Sequence, residues 1–476
     1  MRVPGCCTRW SGRARSSLKY KLFWAEVSGA LGDLGTFVPI AIALTLVNGL
    51  DLGTTLVFTG AYNIVTGLLF GIPMPVQPMK SIAAVAISQS DPFSLTEIAA
   101  AGLCTAAVLF VLGITGLMDY IQRILPMPVV RGIQLSQGIS FGKTAVNYFL
   151  HEQDFSTGSS SGSRPWLGLD GMLVSLVALL FIIVITGSGD NYCQHQASTA
   201  VLSEASEDVE TEAQTSEYSQ KTEPSWVGKA EALPTALIVF LVGVVLAGLR
   251  KPSVWSSLTF GPSMPHVMAI SWSDWKTGFL RGSIPQLPLS ILNSVIAVCK
   301  LASDLFPDKP ISSTAVSTSV GVMNLVGCWF GAMPVCHGAG GLAGQCRFGA
   351  TSGAAVVILG TAKMTLGLLV GSSLVQILSE FPIGLLGVLL LFSGVELAMA
   401  CRDQNNRADA FVMLICTVVS FGSNAAWGFG FSIVVYILLK MRGSHYTLWW
   451  RLFRDTLFAR SVHAPAGYQP CASNIP

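Results

Sequence analysis

The chain has 476 residues, of which 51% are hydrophobic and only 11% are charged. Because about a quarter of the residues in a soluble domain are charged, this composition excludes an ordinary soluble enzyme or binding module. The 28 basic and 26 acidic residues nearly cancel, and the net charge of +2 gives no indication of a nucleic-acid partner. Long apolar runs recur along almost the whole chain, and crossing a bilayer takes roughly 20 apolar residues. The composition therefore predicts an all-α, polytopic membrane protein.

The apolar runs fall into fourteen segments, which form two sets of seven. The first set is predicted near residues 26–47, 52–71, 75–88, 95–118, 128–150, 169–187 and 233–249. The second set is predicted near residues 277–303, 312–330, 334–347, 353–379, 382–401, 408–422 and 424–441. The third member of each set is too short to cross a bilayer alone. Because seven is an odd number, the two halves enter the membrane from opposite sides, and the predicted architecture is a 7+7 inverted repeat.

Basic residues near both ends predict the orientation of the chain. The first 21 residues contain six basic residues and no acidic one, and the residues after 439 are again rich in Arg and Lys. Since basic flanks stay on the cytoplasmic side, both termini are predicted to be cytosolic, and Arg250-Lys251 is the one basic pair left outside. An Arg- and Ser-rich N-terminus also fits an organellar transit peptide. The predicted location is the plasma membrane or, alternatively, the vacuolar or another endomembrane.

A polar stretch, residues 187–229, separates the sixth and seventh segments. It is rich in Ser, Thr, Gln and Glu, so we predict a disordered acidic cytosolic loop, either an inert linker or a regulatory site. The eleven cysteines are scattered without a Cys-x-x-Cys pair, which indicates small apolar residues and neither disulfides nor metal ligands. Because no nucleotide-binding loop or nucleophile motif is present, we expect no enzyme activity and no cofactor.

Two stretches in corresponding places of the two halves repeat one another. The first is Gly67-Leu-Leu-Phe-Gly-Ile-Pro-Met-Pro-Val-Gln77. The second is Gly327-Cys-Trp-Phe-Gly-Ala-Met-Pro-Val-Cys-His337, which has one residue fewer before Met-Pro-Val. Proline stops a helix from continuing, so each copy predicts an extended break followed by a short half-helix. Paired breaks of this kind mark the binding site of a transporter near the middle of the membrane.

The two predicted half-helices offer backbone N–H groups to a ligand. In the first, these are the N–H groups of Met79, Lys80 and Ser81. In the second, the glycines of His337–Gly341 let a ligand approach the backbone closely. Each helix N-terminus carries about half a positive charge. The pair therefore favours an anion with several acceptor oxygens.

Polar residues in these apolar segments are the candidate ligands and proton carriers. Lys80 needs an anionic partner at this depth, which an oxyanion would supply, although it could instead pair with Asp33 or reach a vestibule. Gln77 and His337 can each donate to an oxyanion or cap a helix. Asp33 is a candidate proton carrier, or an acceptor for N–H groups of the broken first segment.

Further candidates lie on other segments. Gln286, between two prolines, either binds ligand or bridges helices, as does Asn293. Glu396, near the end of the twelfth segment, is either a second proton carrier or the partner of Arg402. The full predicted substrate-binding set is Asp33, Thr36, Gln77, Lys80, Ser81, Gln286, His337, Gly338 and Ala339.

Three stretches resemble the plant and algal molybdate transporters, which belong to the sulfate-permease superfamily. They are Gly29–Ile40, Pro73–Ala86 and Met333–Gly344, and the likeness runs from Glu26 to Lys440. As in the molybdate members, no C-terminal regulatory domain is expected. The resemblance implies a seven-plus-seven fold shared with nucleobase permeases, in which a core domain carries the substrate against a gate domain. It also places Gln77, Lys80, Ser81, His337 and Gly338 at the facing half-helices.

The resemblance further implies how the chain divides. The expected parts are a basic tail (1–25), the core in two repeats (26–127 and 251–380), the gate in two repeats (128–250 and 381–441) and a cytosolic tail (442–476). It implies uptake of molybdate for molybdenum-cofactor synthesis, so molybdenum is substrate here and no metal is bound by the protein. The expected partners are molybdate, the lipid bilayer and a second copy in a homodimer.

The predicted function is therefore secondary active transport of molybdate, with alternating access by movement of the core against the gate. The residues alone predict an oxyanion, and the word molybdate comes from the resemblance. Sulfate or another tetrahedral oxyanion is the alternative within the same class. A nucleobase permease and a non-transporting oxyanion receptor are the alternatives outside it.

Overall fold

The computed structural model describes residues 22–87, 92–154, 159–187, 233–256, 258–263 and 265–459. The N-terminal tail and the acidic loop 187–229 fall almost entirely outside these described residues. The described part is helical, as predicted, with four short strands in two antiparallel pairs that the all-α prediction missed. Five of its helices are long and apolar enough to cross a membrane, or six when one bent pair counts as a single span. The chain is therefore an integral membrane protein by length and composition of its helices.

The first half begins with α1 (Phe23–Asn48), in which a 3-10 turn at Leu31–Asp33 interrupts the α-helix. The elements that follow are α2 (Leu52–Phe70), β1 (Val76–Pro78), α3 (Lys80–Ala86), α4 (Leu95–Ile114), α5 (Leu117–Ile124), α6 (Met127–Leu150), β2 (His151–Asp154), β3 (Ser159–Ser163), α7 (Met172–Thr186), α8 (Thr235–Arg250) and α9 (Ser253–Ser256).

The second half begins with α10 (Trp272–Leu305), which contains two π-helical stretches on either side of Ile284–Leu289. The elements that follow are α11 (Ser313–Gly327), β4 (Val335–His337), α12 (Ala339–Arg347), α13 (Gly353–Leu369), α14 (Leu374–Ser379), α15 (Ile383–Met399), α16 (Arg407–Gly422) and α17 (Ala425–Ala459). Both α1 and α10 are irregular where the sequence has glycines or prolines, as predicted. A helix overlaps each of the fourteen predicted ranges, but only five or six described helices are long and apolar enough to span a membrane, so the fourteen-segment repeat stays a prediction.

The last helix is longer than its predicted segment, 424–441. The helix α17 continues through Ala459, whereas its apolar, span-like part ends at Arg442, and the cytosolic tail from residue 442 stays a prediction. Leu448, Trp449, Leu452 and Phe453 recur there at helical spacing, and a pattern of this kind favours a continued helix over an extended tail. The basic residues of this segment are compatible with a helix, although they mark the end of its membrane-crossing part.

Helices of the two halves pack against each other in a reciprocal way. Two of the most extensive of these contacts pair α2 with α13 and α4 with α11. At the first crossing, a Cβ atom added to Gly60 would lie 2.6 Å from the carbonyl oxygen of Gly360. Small residues of this kind let two membrane helices approach backbone to backbone. The helix α6 packs instead against α15 and α16.

The strand pair β1–β4 lies where the two repeated motifs meet. Its register pairs Val76 with His337, Gln77 with Cys336, and Pro78 with Val335. Asn63 on α2 accepts a hydrogen bond from the N–H of Val76 at 2.8 Å, and Asn324 on α11 accepts one from the N–H of Val335 at 2.7 Å. Both copies of Met-Pro-Val are therefore held in the same way.

A polar cluster at the start of α6 joins three parts of the fold; we call Arg131, Gln134, Asp304 and Asp403 the Arg131 cluster. Arg131 donates to Asp403 at 3.0 Å, to Gln134 at 2.8 Å and to Asp304 at 2.6 Å. Gln134 in turn donates to the carbonyl of Ala297 at 2.9 Å. The cluster thus connects α6 with the end of α10 and with the loop after α15.

The basic pair Arg250-Lys251, which the charge pattern left unexplained, has acidic partners. Arg250 lies 3.2 Å from Asp170, and Lys251 lies 3.1 Å from Glu380. These contacts neutralise much of the local positive charge. The pair is thus accounted for by local ion pairing, and it carries little weight as an orientation signal.

Candidate functional site between the two half-helices

The two half-helices α3 and α12 start directly after the paired strands β1 and β4. Proline has no N–H group, so the chain stays extended through Pro75 and Pro334 before each helix begins. Every residue of the two strands is buried. The predicted breaks are therefore adjacent in space, and the two helix starts lie on either side of one strand pair.

Lys80 is the first residue of α3 and lies half-buried at this junction. Its Nζ atom lies 3.9 Å from the centroid of the Phe141 ring on α6. Within the described part of the chain, the Lys80 ammonium group makes this ring contact and no ion pair. Lys80 also interacts electrostatically with Asp33.

A second buried lysine, which the sequence analysis missed, is Lys363 on α13. Its side chain is only 4% exposed, and its Nζ atom has no hydrogen-bond acceptor among the described residues. The Nζ atom lies 3.5 Å from the centroid of the Phe37 ring and interacts electrostatically with Asp33. A signal was present, because Lys363 is the one charged residue of the predicted segment 353–379 and an intramembrane charge is a functional candidate by default.

Asp33 and Gln77 connect α1 with the strand pair. Gln77 Nε2 donates a hydrogen bond to Asp33 Oδ1, while Asp33 Oδ2 has no partner among the described residues. A Cβ atom added to Gly341 would lie 2.6 Å from Gln77 Nε2. The Gln77 amide therefore lies against the first turn of α12, and only glycine there leaves room for it.

His337 does not face the same side as Gln77. When the two motifs are aligned on Met-Pro-Val, Cys336 corresponds to Gln77 and His337 corresponds to Pro78. The strand register agrees with this alignment, because Gln77 and Cys336 lie opposite each other at its centre. Because successive side chains of a strand point to opposite faces, Gln77 and His337 face opposite sides of the strand pair, and the role of His337 in substrate binding stays a prediction. His337 Nε2 lies 3.2 Å from Ser319 Oγ, and its ring packs edge-on against Phe70.

Cys336 takes the position opposite Gln77, and its sulfur accepts a hydrogen bond from Ser294 Oγ at 3.1 Å. Neither Cys336 nor the asparagines Asn63 and Asn324 belonged to the predicted site. A sequence signal for the asparagines was present, because Asn63 lies shortly before Gly67 and Asn324 lies shortly before Gly327, the first glycines of the two repeated motifs.

Gln286 caps the half-helix α3. Its Oε1 atom accepts from the N–H of Ser81 at 2.9 Å and of Ile82 at 3.4 Å, and its Nε2 atom donates to Ser290 at 2.8 Å. The N–H of Met79 donates to the carbonyl of Pro334 at 2.9 Å. The expectation that Met79 and Ser81 both present free N–H groups is therefore wrong, because buried amides find partners in the protein itself.

At α12 the situation differs, because among the described residues no side chain accepts a hydrogen bond from its first N–H groups. Gly338 is the N-cap residue and has no side chain to cap the helix, and Ala339 at the first helical position is fully buried. Since the first N–H groups of a helix have no intrahelical acceptor, α12 is the half-helix whose start keeps donors for a ligand.

Two predicted residues lie further from the strand pair in sequence. Thr36 is buried on α1, one turn after Asp33. Glu396 is half-buried near the end of α15, as the sequence predicted. Their roles in substrate binding and proton coupling stay predictions.

The charges around the strand pair favour an anionic ligand. Two ammonium groups, Lys80 and Lys363, and the positive end of α12 outweigh the single carboxylate of Asp33. No group of three potential metal ligands occurs among the described residues. A cavity between α7, α8 and α15 is lined by aliphatic and aromatic side chains, so it offers no site for a charged solute.

The fold is that of a helical membrane protein whose two half-helices start at one buried strand pair. Two solved structures of SLC26A9 match it with TM-scores of 0.53 at 16% identity. One covers 88% of this chain and 66% of its own length, and the other, the murine protein in the inward-facing state, covers 93% and 73%. At this identity the likeness shows the fold alone.

The sequence comparison is closer. The family described as "Molybdate transporter of MFS superfamily" matches residues 25–141 and 278–397. Molybdate transporter 2 and molybdate transporter 1 of Arabidopsis thaliana are 57% and 55% identical over 90% of this chain and 90% and 91% of their own. Molybdate transporter 1 of Chlamydomonas reinhardtii is 39% identical over 86% of this chain and 90% of its own. The chain belongs to the molybdate transporter family, which confirms the resemblance recognised in the sequence.

Proposed function

We propose that this chain is a secondary active transporter of molybdate. The two Arabidopsis thaliana relatives that carry this name are more than half identical to it over nine-tenths of its length. The observation that supports an anion most directly is the pair of ammonium groups, Lys80 and Lys363, which lack ion-pair partners of their own beside an uncapped helix start. Buried charges without partners are costly, so a dianion that binds between them would relieve that cost.

The charge balance also supports a coupled proton. Two ammonium groups match the charge of one molybdate dianion only if Asp33 is neutral. We therefore propose that Asp33 takes up a proton when molybdate binds and that both move together. The uncapped N–H groups of Gly338 and Ala339 would donate to the oxyanion, and Gln77 would hold Asp33 and the start of α12 in place.

Alternating access would move one set of elements past another. The strand pair, the half-helices, α1, α2, α4, α10, α11 and α13 would form the moving core. The helices α6, α7, α8, α15, α16 and α17 would form the gate, which would complete the 7+7 inverted repeat. The helix α2 packs on α13 and the helix α4 packs on α11, so each of these helices has its partner in the other half. This packing supports a single moving core built from both halves. Homodimer formation and the identity of the membrane stay predictions.

The test is molybdenum uptake by yeast cells that express the full chain, compared with cells that carry an empty vector. We expect molybdate uptake that tungstate inhibits, because tungstate has the same charge and nearly the same size. Excess sulfate is expected to compete weakly and phosphate less. Uptake at the vector level by cells whose membranes contain the protein would contradict a transporter, and equal competition by sulfate would favour a general oxyanion transporter.

A control separates transport from mere binding. A deletion of residues 203–223, within the acidic loop, should leave uptake unchanged if the chain is a transporter. If molybdate bound to the purified protein while uptake stayed at the vector level, a receptor would be the better description.

A further inference from the structure

Phe141 on α6 touches both half-helices at their starts. Its ring lies 3.9 Å from Lys80 Nζ, and a Cβ atom added to Gly340 on α12 would lie 2.3 Å from its Cε2 atom. The side chain is 5% exposed and packs with Ala145 and Leu390, away from the strand pair. One ring, carried by a helix that packs mainly on α15 and α16, thus reaches the place where α3 and α12 begin.

The ring stands where an anion would meet Lys80. The face of an aromatic ring carries negative charge, so it attracts an ammonium group that has little water around it. That same face repels a dianion. A molybdate ion and the Phe141 ring therefore compete for one ammonium group, and the ring must leave it when the oxyanion binds.

The close approach depends on Gly340. Any larger residue at this position would collide with the ring and push it away from Lys80. The glycine therefore permits two contacts at once, one between the ring and α12 and one between the ring and the ammonium group. This arrangement is more specific than ordinary apolar packing, which would require only a side chain of suitable volume.

We propose that Phe141 sets the affinity for the oxyanion by holding Lys80 in the empty site and by giving it up when the oxyanion binds. The proposal rests on the proposed function, because it takes Lys80 as a substrate ligand. Phe141 acts through Lys80 and is thus a positioning residue. Its contact also links ligand binding with α6, so that binding loosens one attachment between the half-helices and that helix.

The test compares Phe141→Leu and Phe141→Tyr with the unchanged protein. Leucine keeps an apolar side chain but has no aromatic face, so the competitor of the oxyanion is lost. We expect Phe141→Leu to lower the KM for molybdate uptake roughly threefold to thirtyfold, the range of a partly desolvated cation–π contact. Phe141→Tyr keeps the aromatic face and should keep the KM of the unchanged protein.

Phe421→Leu is the matched control. Phe421 on α16 also lies under a lysine of α6, with Lys143 Nζ 5.2 Å from its ring centroid, but it is 41% exposed. This variant loses a cation–π contact of the same kind away from the half-helices, so its KM should not change. The Kd of molybdate for each purified full-length variant is measured in parallel, which removes any effect of expression or folding on the rates.

An unchanged or higher KM and Kd in Phe141→Leu, in a protein that is folded and takes up molybdate, would overturn the proposal. A merely structural role would lower the amount of folded transporter and the maximal rate without tightening binding. If the unchanged protein neither binds nor takes up molybdate, the proposed function itself fails, which is a distinguishable result.

Discussion

The Arg131 cluster and the charges around the strand pair each contain a buried cation, Arg131 or Lys363, yet they are built differently. Arg131 uses Nε, Nη1 and Nη2 in hydrogen bonds to Asp403, Gln134 and Asp304. Lys363 has no hydrogen-bond acceptor among the described residues, and Lys80 has an aromatic ring in place of an acid. A buried charge with a full set of partners holds a fold together, whereas one without them is available to a ligand.

The comparison predicts that removing charge has opposite consequences in the two places. A methionine has nearly the length of lysine or arginine without the charge, so the same substitution can be made in each. At the strand pair, we expect loss of transport in a stable protein. At the Arg131 cluster, we expect loss of stability in a protein that still transports.

Lys80→Met should have the largest effect. The substitution removes the ammonium group that meets the oxyanion, and losing one partner of a buried charge pair costs about 2–5 kcal/mol of binding free energy. We expect molybdate uptake to fall by roughly thirtyfold or more, while the methionine sulfur keeps a favourable contact with Phe141. Initial uptake rates, normalised to the folded protein in the membrane, measure the effect, and full uptake by this variant would remove Lys80 from the site.

The double variant Asp33→Asn/Lys363→Met should come second. Lys363 interacts electrostatically with Asp33 without a direct ion pair, and replacing two buried opposite charges together by neutral side chains of similar volume is often neutral or stabilising by about 1–4 kcal/mol. We therefore expect a thermal unfolding temperature equal to or above that of the unchanged protein, with uptake reduced by roughly tenfold. Uptake should also lose its dependence on pH, because the proposed proton carrier is absent. A destabilised variant with normal uptake would show that the pair is structural.

Arg131→Met should reverse this pattern. The substitution leaves Asp304 and Asp403 without their shared partner, although both acids are partly exposed, so we expect a loss of about 1–3 kcal/mol of unfolding free energy. Uptake per folded molecule should stay within about twofold, since no atom of the cluster belongs to the site. Thermal unfolding in detergent checks the first expectation, and Lys300→Met, which removes a more exposed partner of Asp304, is the matched control.

The smallest expected effect is the pH dependence of the Arg131 cluster. Burial alone would raise the pKa of Asp403, but hydrogen bonds from Arg131 outweigh it and hold the pKa below the ordinary value of 3.8. A lowered pKa in the folded state means that the stabilisation is present above about pH 4 and is lost as the pH falls further. The stability difference between the unchanged protein and Arg131→Met should therefore shrink below about pH 4. A difference that stays constant from pH 6 to pH 3 would contradict the role of this contact.

Much of this architecture was readable from the sequence. Apolar runs gave the positions of the helices, because a membrane span needs a long apolar stretch. The repeated Met-Pro-Val gave the two breaks, because proline stops a helix wherever it stands. The adjacency of the breaks followed from their place in two similar halves, and the strand pair with its register confirms it.

The site was harder to predict, for identifiable reasons. The repeats differ by one residue before Met-Pro-Val, so the sequence alone permits two alignments of His337. A shift of one residue turns a strand side chain to the other face, and only the strand register shows that His337 faces away from Gln77. The occupation of the Ser81 N–H by Gln286 joins residues 205 positions apart, which no local pattern reveals. Phe141 was one aromatic residue among many in an apolar helix, and only the packing shows which ring meets Lys80.

The most direct test of the central claim is the position of a bound oxyanion. Tungstate scatters strongly, so a structure of the full chain with tungstate, solved by cryo-electron microscopy or anomalous diffraction, would locate it without ambiguity. The account predicts one strong peak within hydrogen-bonding distance of Lys80 Nζ and of the first N–H groups of α12, with the Phe141 ring displaced from the ammonium group. A tungstate peak elsewhere, with Lys80 still against Phe141, would contradict it.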